Sequence, residues 1–196
     1  MRSSVRLRHS LSLATVLVVF LTGCATEAAN VRSGPLGYST VGPVTEFKPT
    51  KRLAPVTFQG TLDTGKTATS ADWPHHVLVV NFWYAACGPC RAEAPDLKAL
   101  YKEFKTKDVQ FVGVDVRDQA STAQAFANTY GITYPSFLDA DGGAIQLAFA
   151  GQIAPDAVPT TIVLDRTGRV ASRIVGRIPA RSILRSLIET AISEKQ

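Results

Sequence analysis

The chain has 196 residues, enough for one domain plus an extension. Its 45% hydrophobic and 19% charged residues are ordinary for a globular protein. Arg2, Arg6 and Arg8 supply three of the positive charges behind the net +5; without them the balance is about +2, and no basic stripe remains to imply a nucleic-acid partner.

Residues 1–23 read as a secretory signal: a basic start, an apolar run from Leu11 to Leu21, then small residues. The run is short for a membrane span of about 20 residues. Its end, Leu21-Thr22-Gly23-Cys24, resembles a bacterial lipoprotein lipobox. That resemblance implies that the Cys24 sulfur carries a diacylglycerol, that cleavage makes Cys24 the new N-terminus, and that the protein is held at the extracytoplasmic face of the cell membrane. Two acyl chains suffice for stable attachment. Residues 24–52 carry Gly, Pro, Ser and Thr with little periodicity and are expected to form a flexible tether. Leu36, Tyr38 and Phe47 leave open the alternative that this stretch packs on the domain surface.

The domain is expected over 53–196. Residues 56–62 read as a strand, Asp63-Thr64-Gly65 as a turn and 66–69 as its hairpin partner. The apolar, β-branched run Val77-Leu78-Val79-Val80-Asn81-Phe82-Trp83 predicts a buried strand. A helix is predicted over 89–106, with Pro95 kinking it or removing one hydrogen bond. Residues 109–116 form the next strand. Ser121 is placed to cap a helix over 122–130, and Gly131 to stop it. A short extended piece covers 134–139, a turn 141–143 and a short helix 144–149. Strands at 160–164 and 169–175 flank the turn Asp165-Arg166-Thr167-Gly168, and an amphipathic helix closes the chain over 180–193. Strands alternating with helices predict an α/β sheet with helices on both faces.

Cys87-Gly88-Pro89-Cys90 falls where a strand turns into a helix. Free backbone N–H groups and the positive end of the helix dipole favour an anion at that point. Thiolate, the reactive form of cysteine, is such an anion. The spacing lets the second sulfur, one turn on, reach the first, and Pro89 fits the first helical turn. A C-x-x-C beside a βαβ pattern therefore reads as a dithiol redox motif. Half of a zinc site is the alternative, but only Cys24, His9, His75 and His76 remain as further ligands, and they are poorly placed for a metal. With Cys24 lipidated, Cys87 and Cys90 are the only cysteines left to pair.

Residues 53–194 resemble the TlpA/ResA-like extracytoplasmic thioredoxins, including the CcmG/DsbE group, within the AhpC/TSA-redoxin class. The resemblance rests on Ala54-Pro55 and Asp63-Thr64-Gly65-Lys66 in an N-terminal hairpin, Asn81-Phe82-Trp83 before the cysteines, and Glu93-Ala94-Pro95 after them. It rests also on Gly113-Val114-Asp115, on Val158-Pro159-Thr160-Thr161 and on Leu164 to Gly168. It implies a thioredoxin fold with that added hairpin, and thiol-disulfide exchange without a cofactor or metal. Cys87 is then the attacking thiolate, Cys90 the resolving thiol, and Pro159 a cis-proline against the pair. Trp83, Tyr84, Gly88, Pro89, Val158 and Thr160 are the expected substrate-facing residues. Glu93 would influence thiol ionisation, or else be a solvated helix carboxylate.

Two departures stand out. Ala86 replaces the tryptophan that many thioredoxins carry before the first cysteine, so Tyr84 or Trp83 would supply any apolar wall. Asn81 replaces their buried aspartate, and asparagine cannot take a proton at neutral pH; proton transfer at Cys90 then falls to Glu93, water or another group. The resemblance implies protein thiols and disulfides as partners, apocytochrome c among them, and a CcdA/DsbD-type membrane electron donor. An oxidant of folding exported proteins fits the same residues. A peroxiredoxin would want a Thr-x-x-Cys turn where Tyr84-Ala85-Ala86 stands. A copper chaperone of the SCO type would want Cys-x-x-x-Cys and a distant histidine, and no histidine follows residue 76.

Overall fold

A computed structural model describes residues 32–33, 38–41, 43–151 and 157–194. The signal segment and Cys24 lie outside them. The strands are β1 (Arg32–Ser33), β2 (Tyr38–Val41), β3 (Val44–Phe47), β4 (Gln59–Leu62), β5 (Thr67–Thr69), β6 (Val77–Trp83), β7 (Val109–Asp115), β8 (Ser136–Leu138), β9 (Thr160–Leu164) and β10 (Val170–Val175). The helices are α1 (Gly88–Phe104), α2 (Ala120–Tyr130), α3 (Ala144–Ala148) and α4 (Arg181–Ser193). No helix among the described residues is long and apolar enough to cross a membrane.

The strands form one mixed sheet in the order β1-β2-β3-β10-β9-β6-β7-β8-β4-β5. β6 lies at its heart, parallel to β7 and antiparallel to β9. Every residue of β6 is buried, and the two-residue period of a strand divides them between two cores. Val77 and Val79 join Leu97, Leu100 and Phe104 of α1 and Leu184, Leu187 and Ile188 of α4. Leu78, Val80 and Phe82 join Phe58, Phe137, Ile145, Phe149 and Ile162 on the opposite face. Burial on both faces is why this run is continuously apolar rather than alternating. It also fixes the direction in which β6 delivers the chain to the cysteines.

The structure corrects three expectations. The domain begins before residue 53, because β3 pairs with β10 and buries Val44 and Thr45. Arg52 reinforces that join: its guanidinium bonds Asp165 at 2.8 Å, after β9, and both carboxylate oxygens of Glu194, at the end of α4, at 2.5 Å. Residues 43–52 are thus part of the folded unit, while 24–31, 34–37 and 42 lie outside the described residues. The strand expected over 56–62 starts only at Gln59, since the Val56 N–H donates to Gly168 and the Phe58 N–H to Ser70 Oγ. Ser121 is not a cap: Gln119 holds that position, and its carbonyl accepts from Thr122 and Ala123. Gly131 does end α2, in the left-handed conformation at φ 66°. α1 runs on through Pro95 to Phe104, losing the one hydrogen bond that a proline cannot donate.

Candidate active site

β6 ends at Trp83; the chain crosses Tyr84, Ala85 and Ala86, and Cys87 caps α1. The Cys87 backbone is extended (φ −69°, ψ 111°), and its Sγ accepts the Cys90 N–H at 3.1 Å. The sulfur takes the place that a serine or aspartate oxygen usually fills at a helix start. Cys87 and Cys90 are joined as a disulfide. Both are buried, while Ala86, Gly88 and Pro89 around them are exposed. An amide aimed at Sγ in this way favours negative charge on the sulfur.

Beneath the pair lies a small apolar cluster of Trp83, Ala123 and Phe126. The Trp83 and Phe126 rings lie 4.2 Å apart. Gly113 makes room for that seat: a Cβ there would lie 2.6 Å from Trp83 Nε1 and 2.3 Å from Ser136 Oγ. Trp83 is buried, so it forms a floor rather than an exposed wall; Tyr84 is half-buried at the side.

Glu93, one turn beyond Cys90, is wholly buried, which overturns the reading of a solvated carboxylate. Oε1 accepts from Asn81 Nδ2 at 2.9 Å and Oε2 from the Ile178 N–H at 3.0 Å. Asn81 also donates to Thr161 Oγ1 at 3.1 Å, which orients its amide. Burial outweighs both hydrogen bonds and the nearby Arg177 charge, and pushes the Glu93 carboxyl up to about 7. It can therefore gain or lose a proton near neutrality, which Asn81 cannot.

The Val158–Pro159 peptide is cis. Val158 packs against the cysteine cluster, and the Pro159 carbonyl accepts the Gly176 N–H at 2.8 Å. Thr160 is a correction: its side chain is buried and its hydroxyl bonds the Ala157 carbonyl, so it offers no side chain to a substrate.

Asp115 at the end of β7, and Arg117 and Asp118 in the loop to α2, have roles that a reading of the sequence does not supply. Asp118 Oδ2 accepts the Ala85 N–H, fastening the segment that leads to Cys87. Arg117 lies with its guanidinium 4.3 Å from the Tyr84 ring centre. Asp115, buried at the end of β7, accepts the N–H groups of Arg117 and Asp118 and so shapes the loop. Burial and the neighbouring Asp118 push its carboxyl up to about 6. The trace of this arrangement in sequence is a pair of aspartates three residues apart, one ending β7 and one in the loop after it. Among the described residues no group of three or more His, Cys, Asp or Glu side chains is placed to hold a metal.

The Redoxin family profile matches residues 46–188. Thiol-disulfide oxidoreductase ResA of Bacillus subtilis strain 168 is 31% identical over 112 residues, covering 57% of this chain and 60% of that protein. The chain thus matches less than two thirds of that relative's length. A thiol:disulfide interchange protein of the thioredoxin family from Chlorobium tepidum TLS superposes with a TM-score of 0.66 at 28% identity, over 72% of this chain and 97% of that one. A secreted thiol-disulfide isomerase from Corynebacterium glutamicum gives 0.71 at 25% identity, over 78% and 93%. The mixed sheet with its flanking helices is the thioredoxin fold that the resemblance implied, and the β4–β5 hairpin is its added element.

Proposed function

The chain belongs to the Redoxin family, and from that premise we propose that it is a thiol-disulfide oxidoreductase that reduces partner proteins outside the cytoplasm. The observation that carries this reading is the Cys87 sulfur at the mouth of α1, accepting the Cys90 N–H and paired with the Cys90 sulfur.

In the reduced protein the Cys87 thiolate attacks one sulfur of a partner disulfide. A Cys87–partner bond forms, the partner S–S bond breaks, and the released partner sulfur leaves as thiolate and takes a proton from water. Cys90 then gives up its proton, and its thiolate attacks Cys87 Sγ. The second partner sulfur leaves and is protonated in turn. Two electrons have passed to the partner, and the Cys87–Cys90 disulfide remains. Glu93 is the group we assign to receive the Cys90 proton, because its carboxyl titrates near 7 and Asn81 has no basic site. Pro159 would lie against the pair, with the Val158 backbone, Tyr84, Gly88 and Pro89 meeting the extended partner chain.

A CcdA/DsbD-type membrane carrier would return the two electrons, and apocytochrome c is the partner we favour. Cys24 would carry the lipid, and the residues after it would span from the bilayer to the folded domain. The test is trapping in the full chain. In Cys90→Ser the mixed disulfide should persist as a covalent complex that a reducing agent releases, and Cys87→Ser should form none. Equal capture by the two variants, or none by either, would refute the assignment.

A further inference from the structure

Which disulfides such a site accepts depends on what surrounds it. Three exposed arginines stand on segments that join the cysteine pair or its supports, each on a different one. Arg91, in the first turn of α1, donates from Nη2 to the Ala86 carbonyl at 2.8 Å. Arg117, in the β7–α2 loop, stacks on Tyr84. Arg177 stands in the β10–α4 loop, between Gly176, which bonds Pro159, and Ile178, which bonds Glu93. Among the described residues none of the three forms a salt bridge.

The acidic groups at this end are engaged or covered. Glu93 and Asp115 are buried. Asp118 is half-buried and takes the Ala85 N–H, and Asp96 pairs with Arg181 at 3.2 Å. The charge left open to a partner is therefore positive. The segments that carry the arginines and the cysteines also offer apolar side chains: Ala86, Pro89 and Val175 are exposed, and Tyr84 and Val158 half-buried. Arg91 and Arg117 are already held by a carbonyl and a ring, so binding a carboxylate costs them less ordering than it would cost a free side chain. A guanidinium also offers a carboxylate two parallel hydrogen bonds.

We propose that this site selects disulfides flanked by Asp or Glu, whose carboxylates meet Arg91, Arg117 and Arg177 while the apolar side chains take the extended chain. The inference rests on the exchange activity proposed above and adds the class of partner.

The test uses three disulfide peptides identical except for two flanking positions, which are Glu, Gln or Lys. The rate of their reduction is followed with the pre-reduced full chain. At low salt the Glu peptide should react at least about 10-fold faster than the Lys peptide, and added salt should narrow the gap. In the double variant Arg117→Gln, Arg177→Gln the Glu-to-Lys ratio should fall toward one, with the circular dichroism of the protein unchanged. Equal rates for the three peptides, or a ratio that survives in the variant, would overturn the inference alone. If no peptide is reduced, the oxidoreductase reading fails and this inference falls with it.

Discussion

Glu93→Gln isolates the cost of burying a charge beneath the cysteines. Glutamine keeps the shape of the protonated acid but cannot ionise. The Glu93 carboxyl is raised from 4.5 to about 7. A raised carboxyl binds its proton more tightly in the folded than in the unfolded chain. Its contribution to stability is thus complete below about 4.5 and is lost as the pH rises through about 7. At about 1.4 kcal/mol per pH unit, this interval amounts to about 3 kcal/mol, an order-of-magnitude figure for a side chain with no exposure. At pH 4.5 the variant and the parent should differ only by a pH-independent offset, because the glutamine –NH2 cannot accept the N–H of Asn81 or Ile178 as a carboxyl oxygen does. Between pH 4.5 and pH 8 the difference should move in favour of the variant by up to about 3 kcal/mol. Urea unfolding of the oxidised proteins across this range gives the difference, and the oxidised form keeps the thiols from titrating. Asp115, which is also raised, titrates in both proteins and cancels from the difference. A difference that stays flat from pH 4.5 to 8 would refute the claim that burial governs this carboxyl.

Three further outcomes are expected. Gly113→Ala should push Trp83 off its seat, since the new methyl would stand 2.6 Å from the indole nitrogen; tryptophan fluorescence should shift and stability fall by about 1–3 kcal/mol. Arg52→Ala takes from buried Asp165 the nearer of its two cations, leaving Arg169 at 3.3 Å, and frees the end of α4, so thermal unfolding should show a loss of about 1–3 kcal/mol, and an unchanged melting temperature would contradict the anchoring role. Asp118→Ala removes the acceptor of the Ala85 N–H and should cost about 1–3 kcal/mol in urea unfolding, while faster hydrogen exchange at Ala85 would locate the effect.

What could be read from the chain was what local pattern decides. The run from Val77 to Trp83 is apolar because both of its faces are covered, and β6 has the bounds that the run suggested. The cysteines stand at a strand-to-helix junction that their own spacing and Pro89 announce. Features set by distant neighbours were not legible. Val44 to Phe47 is only four residues long, and it is a strand because β10, far along the chain, supplies its partner. Glu93 looks like any carboxylate on a helix; its burial depends on Asn81 and Ile178, 12 and 85 residues away. Asp118 gains its role from Ala85, 33 residues earlier. Ser121 has the right chemistry for a cap, but the loop enters α2 two residues sooner, where the extended Gln119 carbonyl starts the helix.

The central claim is that the start of α1 holds the Cys87 sulfur as an anion. Alkylation of the fully reduced protein against pH, with each cysteine followed by mass spectrometry, measures this directly. Cys87 should be modified first, and its half-maximal rate should fall at a lower pH than that of a free cysteine measured alongside. A Cys87 profile that coincides with free cysteine, or equal labelling of Cys87 and Cys90 at every pH, would contradict the account.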